Sequence, residues 1–325
     1  HKPLYRRKAG EPRRNLGLAY FNHRGDADDA WRSIAAAFQL DPTDARVLFE
    51  FDQLARRLNH DPGERLHRLD AHPECVRQRD DLSLERVTLL NQLGRYDEAL
   101  DSLLSRNFHP WEGGEGKVAA QYVLSLTELA KSVIQSQRCD EAIVYLERAS
   151  CWPESLGEGK LAGTQENNIH YWFGQAYRER GQEALADEWF ARAATGRAEP
   201  SSPQFYNDQP PDMIYYQGLA LRALGREAEA IARFERLVDY GRSHLGDVPA
   251  IDFFAVSLPD FLVFEADLAA KHEAHCRYML ALGLVGLGRL EEAEQEFARI
   301  LALDRNHLGA IVHRRQAEAE MGAVR

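Results

Sequence analysis

His272 and His275 stand three residues apart with Glu273 and Cys276 beside them, a spacing that on a helix puts two imidazoles on one face for a metal ion. His244, Asp247, His307 and His313 are the residues that could complete such a site, but the sequence ties none of them to the pair, so no metal centre is expected. His307, in Asp304-Arg305-Asn306-His307, reads as part of the turn that starts a terminal helix. Glycoside hydrolysis needs two carboxylates at a fixed separation, and nothing in the acid-bearing loops fixes one. There is no nucleophile elbow, no locally supported Ser–His–Asp arrangement and no Cys–His signature. Gly114-Glu115-Gly116-Lys117 and its echo Gly157-Glu158-Gly159-Lys160 are not phosphate loops, because they lack the longer glycine spacing and the hydroxyl residue after lysine. A non-catalytic chain without a cofactor is the expectation.

Residues suited to recognition are more plentiful. Trp111 and Trp152 open the two echoing strings, whose glycines permit tight turns, and a third loop from Glu199 to Pro211 carries Tyr206 at the corresponding place. Either each Trp plugs the seam between neighbouring elements, or Trp111, Trp152 and Tyr206 together form the rim of a binding cleft. A further stretch, Ile251 to Glu265, is too apolar to hang in water and must cover part of the fold as a short helix or extended plug. Its acids, with Asp267 just beyond, sit beside aromatics as in many ligand sites, but sealing the core is the favoured role.

The elements that position these residues are read from an internal repeat. Gly174, Tyr177, Gly181, Ala186, Phe190 and Ala193 follow offsets of 3, 4, 5, 4 and 3. The frame returns at Gly218, Leu221, Gly225, Ala230, Phe234 and Leu237, and at Ala281, Leu284, Gly288, Ala293, Phe297 and Ile300. Weaker copies include Ala130 to Ala149 with Gln137 at the turn, Val87 to Leu103, and Gly17 to Pro42 with one extra residue in the turn. Thr43 to Leu69 is helical by periodicity but fits the frame poorly. Small residues let two antiparallel helices approach, large ones fill the space between them, and the turn glycine closes the first helix in a left-handed cap. Such a hairpin cannot bury its apolar face alone, so neighbours stack.

This frame resembles the tetratricopeptide repeat, which implies an all-α, right-handed superhelix of helical hairpins with a concave inner surface that cradles peptides or partner proteins. The departure is length. The repeat's Ala positions at 99, 142, 186, 230 and 293 step by 43, 44, 44 and 63 residues, against about 34 in the usual unit. Long inter-repeat loops must take up the difference. Carried from the family, the groove positions of the last three copies are Asn168, Asp212 and His275; Tyr171, Tyr215 and Tyr278; and Arg178, Arg222 and Val285. The tyrosine ladder with its two arginines has the composition of a recognition surface, or else packs edge-on between helices. The N-terminal copies have Arg14, Leu84 and Thr127 at the tyrosine position.

Composition bounds the partners. With 51 acidic against 40 basic side chains and a net charge of −11, the surface would repel a phosphate backbone, so no nucleic acid is expected. The basic start (Arg6, Arg7, Lys8, Arg13, Arg14) reads as a solvated tail. No run of eighteen apolar residues could span a membrane, and no secretory leader is visible. Four cysteines without Cys-x-x-Cys spacing read as reduced structural thiols, which points to a cytoplasmic setting. The chain begins at His1 instead of Met, so it reads as a piece of something longer or a processed product.

Ile251 to Leu268, continuing into His275-Cys276-Arg277-Tyr278-Met279, is also similar to the C-terminal portion of a family of large bacterial proteins of uncharacterised function. There a tetratricopeptide array follows β-sandwich domains of mutarotase type, which implies missing upstream domains that handle carbohydrate. The organisation expected is 1–110 for degenerate N-terminal repeats, 111–240 for extended-loop repeats, and 241–325 for the aromatic insertion, last repeat and capping helix. The function expected is a scaffold whose groove binds a peptide or partner domain through Tyr171, Tyr215, Tyr278, Arg178, Arg222, Asn168, Asp212 and His275. The alternative is an accessory carbohydrate-binding module that uses Trp111, Trp152 and Tyr206.

Overall fold

The computed structural model describes residues 4–111, 113–201, 210–248, 263–265 and 267–324, and every regular element among them is helical. The first hairpin is α1 (Leu4–Ala19) with α2 (Ala27–Leu40). Three helices follow, α3 (Ala45–Arg57), α4 (Pro62–Asp70) and the single-turn α5 (Pro73–Arg77). Regular hairpins then come in order: α6 (Asp80–Gln92) with α7 (Tyr96–Leu104), α8 (Lys117–Gln135) with α9 (Cys139–Ser150), and α10 (Asn167–Glu179) with α11 (Glu183–Ala193). The last two are α12 (Pro211–Ala223) with α13 (Glu227–His244), and α14 (Leu268–Gly286) with α15 (Leu290–Leu303), followed by the terminal helix α16 (Leu308–Val324).

The small residue of each first helix faces the large residue of its partner. A Cβ on Gly174 would stand 2.5 Å from the Phe190 ring, one on Gly218 2.4 Å from Phe234, and one on Gly17 2.7 Å from Ile34. Phe190, Phe234 and Ile34 are each 0% exposed, and burying such a side chain contributes about 2–3 kcal/mol. Gly94, Gly181, Gly225 and Gly288 take φ of +76°, +72°, +74° and +73° at the hairpin turns. There the Gly181 and Gln182 amides donate to the carbonyls of Arg178 (2.8 Å) and Tyr177 (2.9 Å). In the first hairpin the extra residue is taken up by a π-turn, Tyr20–Arg24, before Gly25.

Gln137 holds the same turn position at φ +58°, and the amides of Gln137 and Arg138 make the same two bonds, at 2.9 and 2.8 Å. A side chain pays a steric cost there that glycine avoids. Gln137→Gly is therefore expected to raise stability by about 0.5–1 kcal/mol, the strain relieved exceeding the added flexibility of the unfolded chain. Urea midpoints check the sign, and an unchanged or lowered midpoint would show that Gln137 sits there without strain.

The segment that fits the frame poorly has its own start signals. Asp44 accepts from the amides of Arg46 and Val47, and Asp61 accepts from those of Gly63 and Glu64 ahead of Pro62. Another repeat signal was present in the sequence and missed. Each regular second helix except α11 opens on Arg-x-x-Glu: Arg95–Glu98, Arg138–Glu141, Arg226–Glu229 and Arg289–Glu292 are all ion pairs. Exposed as they are, these pairs mark register more than they stabilise. Arg14 is no solvated tail: it lies within α1 and forks onto the buried carboxylate of Glu50.

The array closes on itself. Asn59 donates from Nδ2 to the Ala302 carbonyl (3.2 Å) and accepts at Oδ1 from the Arg305 amide (2.6 Å). Arg65 donates to Asn306 Oδ1 at 2.6 Å, and Gln92 Nε2 to the Asn306 carbonyl at 2.8 Å. The end of the apolar insertion makes a second closure. Phe264 packs edge-on against Phe21 with centroids 5.2 Å apart, and Asn22 bonds the Val263 carbonyl (2.9 Å) and the Glu265 amide (3.0 Å). Ile251 to Phe261 and Leu262, the rest of that insertion, lie outside the described residues.

Candidate functional site

The structure brings the ladder tyrosines into one row of rings, and α16 packs on its Tyr215, Tyr216 and Tyr278 end. Tyr171, Tyr215 and Tyr278 are 9%, 1% and 6% exposed. Tyr216, a neighbour the family frame did not select, bridges them, 5.6 Å from Tyr171 and 5.4 Å from Tyr215. The His313 ring of α16 lies within 5.7–5.9 Å of Tyr215, Tyr216 and Tyr278. Its Nδ1 is 2.9 Å from the Tyr278 hydroxyl and 3.0 Å from the Gly309 carbonyl. That carbonyl can only accept, which fixes the proton on Nδ1 and leaves Nε2 buried without a partner. Burial holds the His313 ring neutral, its pKa lowered to about 3, with the Lys131 ammonium acting in the same direction. Desolvation likewise pushes the Tyr278 and Tyr216 hydroxyls well above their ordinary range.

Fit between α16 and the row depends on small residues. A Cβ on Gly309 would stand 2.6 Å from the Tyr278 hydroxyl, and Ala310 and Ala317 are buried. Further along, Lys131 Nζ of α8 donates to Gln316 Oε1 at 3.4 Å, and Arg315 donates to the Gln92 carbonyl at 2.6 Å. So α16 crosses the inner face from α14 to the turn after α6.

The two groove arginines lie across their own hairpin turns. Arg178 sits 4.4 Å over the Phe190 ring, donates to the Ala223 carbonyl (2.9 Å) and lies 3.8 Å from Glu183. Arg222 sits 5.0 Å over Phe234 and grips Glu227 at 2.9 Å. Asn168 Oδ1 accepts from the Ile169 amide (2.9 Å), and it is the adjacent Asn167 that works harder, donating to the Ala193 and Thr195 carbonyls at 2.7 Å each. Asp212, at the start of α12, is pushed up to about 6 by burial, and its charge bears on Tyr216 and Tyr278.

His275 and His272 do not converge. His275 Nε2 donates to the Ser201 carbonyl at 2.9 Å and burial lowers its pKa to about 4, while His272 Nε2 donates to the His244 carbonyl at 2.8 Å. Among the described residues no group of three His, Cys, Asp or Glu side chains could hold a metal ion.

The echoing loops clasp one another. Glu158 of the second string accepts from the amides of Gly116 (2.7 Å) and Ala119 (2.8 Å), so its carboxylate caps the N-terminus of α8. Phe108 donates to the Ser155 carbonyl at 2.8 Å, and a Cβ on Gly157 would stand 2.4 Å from the Phe108 carbonyl oxygen. Lys160 donates to the Ser150 carbonyl (3.0 Å) and pairs with Glu166 (2.6 Å). Trp152 packs half-buried on the core with its indole Nε1 shielded. Tyr206 lies outside the described residues.

Trp111 has a different fate. Half-buried over Gly114, it borders a cleft of about 550 Å³ between α3, α6 and the loop before α8. Phe49, Leu84 and Val263 add apolar surface, while Glu50, Arg79, Asp81 and Lys117 supply charge of both signs. Asp81 and Leu84 hold the groove positions of α6 that correspond to Asp212 and Tyr215 of α12. The inner face is thus covered by α16 along its C-terminal half and open along α3 and α6. The fold is a tetratricopeptide-type superhelix closed by its own terminal helix.

No family model matches the sequence. Among solved structures the chain is similar to a tetratricopeptide repeat protein from Parabacteroides merdae, at 12% identity and TM-score 0.46 over 96% of this chain and 99% of that one. It is similar to PilW, a widely conserved type IV pilus biogenesis factor, at 17% identity and TM-score 0.36 over 71% of this chain and 93% of that one. The tetratricopeptide domain of P58(IPK) aligns at 13% identity and TM-score 0.32 over 98% and 99%. Among the described residues no helix is long and apolar enough to cross a membrane.

Proposed function

We propose that this chain is a protein-interaction scaffold that binds a peptide, or a segment of a partner domain, in the N-terminal cleft. The observation that carries the reading is the division of the inner face. The cleft uses the groove positions of α6 and is open, whereas the tyrosine ladder is filled by α16. Trp111 and Phe49 offer apolar anchors, and Arg79, Lys117 and Asp81 offer the mixed charge that suits an amide backbone with both kinds of side chain. The partner segment can belong to upstream domains of the same polypeptide. Tyr171, Tyr215, Tyr278 and His275, with Asp212, then serve to seat α16 and its neighbours.

Screening peptide and oligosaccharide arrays, followed by fluorescence anisotropy on the hits, tests this. A peptide hit should lose about thirtyfold in affinity in Trp111→Ala, the loss of a central aromatic anchor, and should keep its affinity in Tyr215→Phe. Binding confined to oligosaccharides and lost in Trp111→Ala would replace the peptide with a glycan. Peptide binding that Trp111→Ala leaves intact would place the site elsewhere.

A further inference from the structure

A second pocket, of about 590 Å³, lies at the seam between α4, α5, α6 and α7, away from the groove positions. Three guanidinium groups reach it from three separate elements: Arg77 from α5, Arg86 from α6 and Arg106 from the segment after α7. Asp70 is the carboxylate in its lining. This gathers guanidinium donors in one place, each beside a carboxylate of its own: Asp70, Glu74 and Asp80.

Each guanidinium is oriented by a partner that engages only part of it. Arg86 donates from Nε to Asp70 (2.7 Å) and from Nη1 to Ser102 Oγ (2.9 Å), and these bonds leave Nη2 unused. Arg106 gives Nη1 to Ser83 and Nη2 to Asp80 and lies 5.2 Å over the Phe108 ring, while its shielded Nε has no hydrogen-bond partner. Arg77 pairs through Nη2 with Glu74 at the outer surface and is 63% exposed. The Ser102 hydroxyl donates to the Glu98 carbonyl at 2.7 Å and accepts from Arg86, so it helps fix Arg86 more than it offers a donor of its own. Asn107 completes the polar lining.

A cluster of partly engaged guanidinium groups suits a tetrahedral oxyanion, whose several acceptor oxygens take N–H donors from different directions. We propose that this pocket binds a phosphate group, presented either as free inorganic phosphate or as a small phosphomonoester. Asp70 and Ser102 hold Arg86 in place, and the ligand supplies acceptors to Nη2 of Arg86 and to the exposed Arg77 guanidinium.

Isothermal titration calorimetry of the full chain with inorganic phosphate and with phosphoserine tests the proposal, at constant ionic strength. The expected result is saturable binding of at least one probe at millimolar concentration or below, with phosphoserine tighter if a monoester is the natural form. Arg77→Gln, at an exposed position whose loss leaves the fold intact, should weaken binding several-fold. Arg86→Gln should weaken it by about tenfold or more, the loss of a charge-assisted contact. Circular dichroism and the urea midpoint of Arg77→Gln serve as the folding control. Absence of saturable heat with both probes would overturn the proposal, as would binding that survives unchanged in the Arg77→Gln, Arg86→Gln double variant.

Discussion

Replacing Arg65 with alanine is expected to cost about 3–5 kcal/mol, because it strands a buried carboxylate. Asp52 is 0% exposed and takes both oxygens' bonds from Arg65, at 3.0 and 2.6 Å. Burial raises its carboxyl from the ordinary value, and the Arg65 fork is the main force opposing that rise. Arg65, 1% exposed, also reaches Glu85 (3.2 Å) and Asn306 (2.6 Å), so the same change frees the turn that leads into α16. Urea unfolding reads the loss. The Arg65→Met, Asp52→Leu double variant should recover most of it, since an apolar pair needs no compensation. A cost below about 1 kcal/mol for Arg65→Ala would mean that water reaches the pair.

Acidification should release α16 from the tyrosine row. His313, with a folded pKa of about 3 against an ordinary 6.5, binds a proton less readily folded than unfolded. Its contribution is therefore complete above pH 6.5 and is lost as pH falls toward 3, on the order of 4 kcal/mol near pH 3.5. His275, lowered to about 4, acts in the same sense. Asp212 opposes them: with its carboxyl raised to about 6, the folded form gains from protonation as pH falls through 6. The groups around His313 that decide the matter are Tyr278, Tyr215, Tyr216, Lys131 and His307. Urea midpoints of wild type and His313→Leu, measured from pH 7 to pH 4, check this. His313→Leu should lose about 1 kcal/mol at pH 7 with its Tyr278 hydrogen bond and show a flatter acid limb. An identical acid limb in both proteins would show that His313 is not the group being protonated.

The hairpins were legible because their signals are local. Gly174 and Phe190 lie sixteen residues apart in one hairpin, and size complementarity at that spacing follows from two helices of fixed pitch. Turn glycines at positive φ were legible for the same reason. The covering of the tyrosines was not. Their spacing predicts that they share a face, but what lies over that face depends on how far the array bends over several repeats, and small rotations at each interface accumulate. Hence the contacts from α16 to α8 and to Gln92, and the Arg65–Asn306 bond across 241 residues, have no sequence signature. The echoing strings were visible, yet Glu158 capping a helix that begins 41 positions earlier, at Lys117, depends on how neighbouring loops stack. In the degenerate segment the frame is lost where the chain closes: Asp52 and Arg65 stand where an apolar core would otherwise be expected.

Closure of the array is tested most directly by a disulfide between Asn59→Cys and Arg305→Cys, made in a Cys151→Ser background to remove the exposed native thiol. Asn59 Oδ1 stands 2.6 Å from the Arg305 amide, so the two positions are direct neighbours across the closure. The closed array predicts rapid cross-linking within single chains under mild oxidation, seen as faster migration on a non-reducing gel. Thiols that stay free, or that bond only between chains, would show that the segment leading into the terminal helix does not meet the end of α3.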